Sequence, residues 1–144
     1  MSGKVAFIAA AGAALVSVGA QAGNSIAVVE HAATDAVTDT GAPGDTVGDL
    51  LTFANPVFDA ANKKQVGTDQ GYCIRTEVGK AWECFWTISL ADGQITVEGP
   101  FLDKGDSTLA VTGGTGKYAG ARGQMKLHAR DEKGSEYDFA YELQ

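Results

Sequence analysis

Basic charge, cysteine, histidine and helical periodicity are all scarce in this 144-residue chain. Eleven Lys and Arg stand against eighteen Asp and Glu, for a formal net charge of -7. A nucleic-acid binder needs a basic stripe that displaces counterions. None is present, which argues against DNA or RNA as a partner. The acidity otherwise speaks only for solubility. Two cysteines, Cys73 and Cys84, do not make a disulfide framework, so a packed core must do most of the stabilising. The two histidines, His31 and His128, show no ligand spacing with those cysteines, and no metal site is expected. No nucleophile elbow or Ser-His-Asp pattern is visible.

Long hydrophobic runs are also rare. The one that stands out is Val5 to Val18, with Lys4 the only charged side chain before Glu30. It spans 14 residues, whereas a membrane helix takes roughly 20. Ala20-Gln21-Ala22 then supplies the small-x-small pattern of a signal-peptidase site. We therefore expect residues 1–22 to be a signal peptide and residues 23–144 to be one exported domain, secreted or periplasmic, without a membrane span after cleavage. Loss of Lys4 takes the net charge from -7 to -8.

Beyond residue 22 no long 3.6-period stripe appears, and strand signals recur between turn residues. Ser25 to Ala32 is one apolar run, followed by a loop rich in Thr, Asp, Gly and Pro from Ala33 to Thr46. Val47 to Asn55 is a second candidate, ended by Pro56, which lacks a backbone donor. Gln65–Glu77, Ala81–Leu90, Gln94–Leu102, Ser107–Thr112, Gln124–Arg130 and Ser135–Leu143 complete eight strands. In the last two, Met125, Leu127 and Ala129, then Tyr137, Phe139, Tyr141 and Leu143, alternate with polar residues, so one face is buried and one is wet. Eight such strands without helices point to a closed antiparallel barrel able to hold one small ligand. A two-sheet sandwich is the rival, and pattern alone does not separate them.

Turn chemistry predicts the register. A two-residue turn at Val78-Gly79 sets Cys73 opposite Cys84 and Arg75 opposite Trp82. A two-residue turn at Asp92-Gly93 sets Trp86 opposite Gly99 and Cys84 opposite Phe101. Period two then gathers Cys73, Arg75, Trp82, Cys84, Trp86, Ile88, Ile95, Val97, Gly99 and Phe101 on one face. Such a face either fills a core or walls a pocket whose few polar groups orient a ligand. The cysteines would form a hydrogen-bonded pair with Cα atoms about 5.5 Å apart, which permits a bridge without requiring one. Ile74 and Phe85 fall on the otherwise polar outer face, where exposed apolar groups can mark an interface.

Gly114-Thr115-Gly116-Lys117-Tyr118-Ala119 fits a dinucleotide-type glycine pattern. The period-two strand after it is not the helix such a site needs. The same glycines carry a different resemblance. Gly48-Asp49-Leu50, Phe53-Ala54-Asn55, Val66-Gly67-Thr68 and Gly71-Tyr72-Cys73-Ile74 resemble the allene oxide cyclase family. So do Gly93 to Leu102 (GQITVEGPFL) and Thr108 to Tyr118 (TLAVTGGTGKY), with the stretch to Gly123 also similar to dirigent proteins. The resemblance covers roughly residues 47–143. It implies an eight-stranded barrel, a homotrimer, no cofactor, and cyclisation of a reactive allene oxide of a polyunsaturated fatty acid. In that chemistry an apolar pocket folds the substrate, bound water and polar groups hold the epoxide oxygen, and a glutamate stabilises the cation. By position, Phe53 and Asn55 match the pocket Phe and the epoxide-side Asn, and Cys73 a cavity cysteine. Trp82 and Phe101 replace family Phe and Tyr, and Glu30 resembles the glutamate. Ala32 stands where the family has Asn, and Thr38-Asp39 is the nearest counterpart of its Ser-Pro pair. The expected site is therefore Glu30 and Asn55 as catalytic groups, with Phe53, Cys73, Arg75, Trp82, Trp86 and Phe101 around a small hydrophobic molecule. Arg75 is the expected partner that keeps a buried Glu30 ionised.

Overall fold

A computed structural model describes residues 24–144 of the chain; the expected signal peptide lies outside them. Its strands are β1 (Ser25–His31), β2 (Ala36–Thr38), β3 (Leu50–Asp59), β4 (Gln65–Glu77), β5 (Ala81–Leu90), β6 (Gly93–Leu102), β7 (Ser107–Gly114), β8 (Gly123–Ala129) and β9 (Glu136–Leu143). One 3₁₀ turn, Gly116–Tyr118, precedes β8. All neighbours are antiparallel. The order runs from β1 through β9 and back down the chain to β3, and β1 pairs with β3 to close the ring. The fold is the closed eight-stranded barrel, with β2 as an added strand. Closure leaves no open edge along most of the sheet, so backbone donors and acceptors are paired without helices.

β2 lies inside the stretch read from sequence as loop. It continues the path of β1 along β3: Glu30 pairs with Val57, and Ala36 with Thr52. Six steps on one chain match five on the other, so residues 31–35 contain one extra residue, a bulge. Nor does Pro56 end β3, which runs on to Asp59 and pairs Pro56 with Thr68 of β4. On its other side β3 pairs with β2 over Leu50–Thr52 and with β1 over Val57–Asp59, leaving Phe53–Pro56 opposite the bulge. A proline without an N–H is tolerated at such a break.

Turn details also differ from expectation. The β4–β5 connection has three residues, with Glu77 opposite Ala81, and a register shift between Arg75 and Glu77 restores the expected pairs Arg75–Trp82 and Cys73–Cys84. The β5–β6 turn is Ala91-Asp92, with Leu90 opposite Gly93. Gly93 opens β6 at φ 150°, backbone that glycine accepts readily. Cys84 therefore faces Gly99, Trp86 faces Val97, and Trp82 faces Phe101. A two-residue slip preserves the face of every side chain, so the expected inner wall survives the corrected register.

That wall is the core. Ile88, Ile95, Val97, Leu109 and Met125 are fully buried, joined by Trp86, Phe139 and Tyr141. Burial of such side chains stabilises by about 1.5–3 kcal/mol each. Outside, Tyr72 and Ile74 are exposed, and the Phe85 ring lies 6.0 Å from that of Tyr72. Among the described residues no helix is long and apolar enough to cross a membrane.

Candidate functional site

The core does not fill the barrel completely. A small cavity of about 40 Å³, open to solvent at its mouth, is walled by Phe53, Trp86, Phe101, Tyr137 and Phe139. The rings pack in pairs: Trp86 stacks on Phe139 at 5.6 Å and meets the edge of Phe53 at 6.0 Å, and Phe101 meets Tyr137 at 5.9 Å. Gly71 lies opposite Trp86. A methyl group at Gly71 would overlap the Phe85 carbonyl oxygen and Trp86 Cβ, so glycine makes the seat of the indole. Cys73 and Cys84 also line the cavity and are joined as a disulfide. Their Cα atoms are 4.0 Å apart, nearer the narrow, non-hydrogen-bonded spacing of about 4.5 Å than the wide one expected.

The polar end is built by the bulge. Glu30 is the last inward residue of β1 before it and is 5% exposed. Asp35, in the bulge itself, lines the same cavity. Asn55 holds both. Its Nδ2 donates to Glu30 Oε1 at 2.6 Å and to Asp35 Oδ1 at 2.8 Å. Its Oδ1 accepts from the Ala33 and Thr34 amides at 3.0 and 2.9 Å and from Thr34 Oγ1 at 2.9 Å. Three donors on one oxygen fix which way the amide points. Asn55 thus replaces the strand pairing that the bulge interrupts, and Thr34 Oγ1 accepts the Ala54 amide across the same gap.

Next to Glu30, on β4, Asp69 is 1% exposed. Burial pushes the Glu30 carboxyl up to about 7, opposed by the Asn55 amide and reinforced by the charge of Asp35. Burial pushes Asp69 higher still, with the charges of Glu30 and Asp35 adding to it. Among the described residues no cation relieves either. Arg75 does not reach Glu30; its Nε binds Asp45 Oδ1 at 2.6 Å and its Nη1 binds Asp103 Oδ1 at 2.7 Å. The reason is depth along the barrel: Arg75 is six residues beyond Asp69 on β4, about 20 Å in extended chain. There it clamps two loops, with the Trp82 ring 4.0 Å from its guanidinium carbon.

Of the residues expected to form a site, Glu30, Phe53, Cys73, Trp86 and Phe101 come together around the cavity. Asn55 sits directly behind, touching Glu30 and Asp35. Trp82 and Arg75 face inward yet do not line it. The sequence reading passed over Asp35, Asp69, Tyr137 and Phe139 as site residues. The two aromatics were legible as the inner face of β9. Asp69 follows from carrying the alternation of Cys73 and Arg75 back through Gly71. Asp35 had no signal, since its inward turn depends on the bulge. His128 is on the wet face, as expected, bonded to Asp106 at 2.7 Å. No cluster of metal-ligating side chains occurs among the described residues.

The molecule is a closed antiparallel β-barrel with a small aromatic cavity that ends on buried carboxyl groups. The sequence profile of the allene oxide cyclase family matches residues 23–130, and the chain belongs to that family. Among solved structures it is similar to a pyocyanin demethylase, with 28% identity and a TM-score of 0.73 over 84% of this chain and 100% of that one. It shares its fold with the pterocarpan synthase dirigent protein GePTS1, at 17% identity and TM-score 0.65 over 93% and 94% of the two chains. The same holds for the Diels-Alderase AbmU from Streptomyces koyangensis, at 13% identity and TM-score 0.65 over 87% and 71%.

Proposed function

We propose that the protein is a cofactor-free cyclase or isomerase acting on a small hydrophobic substrate of the oxidised fatty acid or polyene type. The observation that carries this reading is Glu30: a carboxyl at the end of an aromatic cavity, with no cation among the described residues to neutralise it. Cyclisation of a reactive polyene passes through delocalised positive charge. The cavity contributes in two ways. Confinement between Trp86, Phe53 and Phe139 selects the folded conformer, which removes the entropy of reaching it. The carboxylate and the ring faces stabilise positive charge as it develops. Asn55 acts through Glu30 by holding Oε1, and Phe101 and Cys73 shape the wall. Membership of the allene oxide cyclase family supports the reading, as do fold neighbours that are cyclases.

A second reading is a non-catalytic binding protein, dirigent-like or lipocalin-like. One observation favours it: both Asn55 N–H groups are taken, so the donor that the family resemblance offers to a substrate oxygen is occupied. The two readings separate in one experiment. An allene oxide generated in situ from a hydroperoxy polyunsaturated fatty acid is added to the protein, and the enantiomeric excess of the cyclopentenone is measured alongside quenching of tryptophan fluorescence. The cyclase reading expects a chiral product and a loss of about 100-fold in rate for Glu30→Gln, with quenching retained. Quenching with a racemic product identical to the protein-free control supports the binding reading. Neither signal removes both for this substrate class, and native mass spectrometry of the protein from its own host then identifies what is retained.

A further inference from the structure

Glu30 has a neighbour that the reading above leaves unused. Both oxygens of Asp69 are buried and find no hydrogen-bond donor among the described residues. Asp69 lies directly across from Asn55, whose side chain binds Glu30 at 2.6 Å, so the two buried carboxyls are neighbours. Two ionised carboxylates are both acceptors, so a hydrogen bond between them requires a proton on one. The surroundings say which one. Glu30 already accepts the Asn55 side-chain N–H and lines the cavity, whereas Asp69 has only the backbone N–H groups of Asn55 and of Asp69 itself nearby, neither in hydrogen-bond geometry, and does not line it.

The groups packed around the pair add no positive charge. Asn55 comes from β3, Asp35 from the bulge, Trp86 and Ile88 from β5, and Tyr137 and Tyr141 from β9. Burial and the nearby carboxyls hold both tyrosines protonated. Arg75 is bound to Asp45 and Asp103. We propose that Asp69 is a positioning residue for Glu30: it holds the one proton that the pair retains at neutral pH and donates it, as a hydrogen bond, to the Glu30 carboxylate facing the cavity. Glu30 then receives two donors, one from Asn55 and one from Asp69, and stays ionised in a buried site without a cation.

The value of this arrangement to catalysis rests on the cyclase reading, but the position of the proton does not, so the test uses the ligand-free protein. Infrared spectra should show a protonated-carboxyl stretch at pH 8, above the Glu30 value of about 7, in the parent and in Glu30→Gln, and lose most of it in Asp69→Asn. Carbon-13 titration of the Glu30 carboxyl then supplies a sign. If Asp69 is the donor, Asp69→Asn leaves the Glu30 midpoint nearly unmoved, because the amide also donates. Asp69→Leu raises it, tightening proton binding about tenfold, one pKa unit. If Asp69 is instead an ionised neighbour, both variants remove a negative charge and the midpoint falls in both. That fall overturns the proposal, as does the absence of the infrared band or its survival in Asp69→Asn. The parent spectrum needs no variant to fold. If the spectra behave as expected and no cyclisation is found, the cyclase reading fails while this assignment stands.

Discussion

Asn55→Asp is the sharpest single perturbation of this barrel, because it changes one NH₂ group to oxygen and alters almost no volume. The Oδ1 position keeps its three donors, two backbone amides and the Thr34 hydroxyl. The other position turns from a donor into an acceptor, facing Glu30 at 2.6 Å and Asp35 at 2.8 Å. Hydrogen bonds to charged groups contribute roughly 1.5–3 kcal/mol each. Loss of two therefore costs about 3–6 kcal/mol at pH 8, above the Glu30 value of about 7. A small domain is stable by only about 5–15 kcal/mol, so the variant is near its limit there. At pH 5 a proton on the new carboxyl or on Glu30 restores one of the two bonds, and the penalty drops by about half. Urea unfolding of parent and variant at both pH values, followed by tryptophan fluorescence, measures this directly. A penalty under 1 kcal/mol at pH 8, or one equal at both pH values, would refute the assignment of Asn55 as the residue that holds the bulge.

Three further outcomes follow from the same contacts. The Cys73–Cys84 bridge closes a loop of sequence separation 11, for which chain entropy predicts about 3 kcal/mol; a Cys73→Ala/Cys84→Ala variant should lose that much in a urea melt, and equal midpoints would count against a formed bridge. Arg75→Met should destabilise by only about 1–2 kcal/mol, because Asp45 and Asp103 are exposed and water takes the place of the guanidinium, while the carbon-13 titration of Glu30 stays put; a moved Glu30 midpoint would mean the two do interact. Stability should fall as pH rises from 5 to 9. Glu30 and Asp69 bind protons more tightly folded than unfolded, so their contribution is complete at low pH and is lost as pH climbs through the folded values, roughly 3 kcal/mol from Glu30 alone. Asp49, Asp59, Asp131 and Glu142 are shifted down and act the opposite way below about pH 4. A stability that is flat or rising from pH 5 to 9 contradicts the burial of the pair.

How much of this was legible without coordinates depends on which property is asked for. Periodicity identifies a face, and the faces of β4, β5, β6, β8 and β9 were read correctly because a core of Trp, Ile, Val and Phe alternates with Glu, Thr and Lys. A two-residue error in the β5–β6 register changed every cross-strand partner and no face, since the side-chain repeat is two. Depth along the barrel is another matter. Arg75 and Glu30 share the interior, and it was natural to pair them. Strand tilt, register and loop anchoring put them at different levels, and no pattern in a single strand contains that information. Pro56 misled for a related reason: a proline reads as a strand end, while the break it tolerates belongs to the neighbouring strand.

Asp69 escaped notice because it breaks the rule on which the reading rests. A carboxyl is assigned to solvent unless a cation is seen beside it, since burial of an unpaired charge costs several kcal/mol. The glycine at 71 hid the alternation that would have carried the inner face back to it. Asp35 was beyond reach, because its inward turn follows from one surplus residue between β1 and β2. Local rules held wherever the barrel is simply a barrel. They failed at Asp69 and Asp35, beside the expected Glu30 and Asn55, where the fold keeps the Glu30 and Asp69 carboxyls in an apolar interior at the expense of stability. A sequence selected only for stability would place leucine or valine at these inward positions. Two carboxyls held there against the cost of burial are the physical reason to look for chemistry at this end of the cavity and not at the arginine end, where Arg75 is already bound by Asp45 and Asp103.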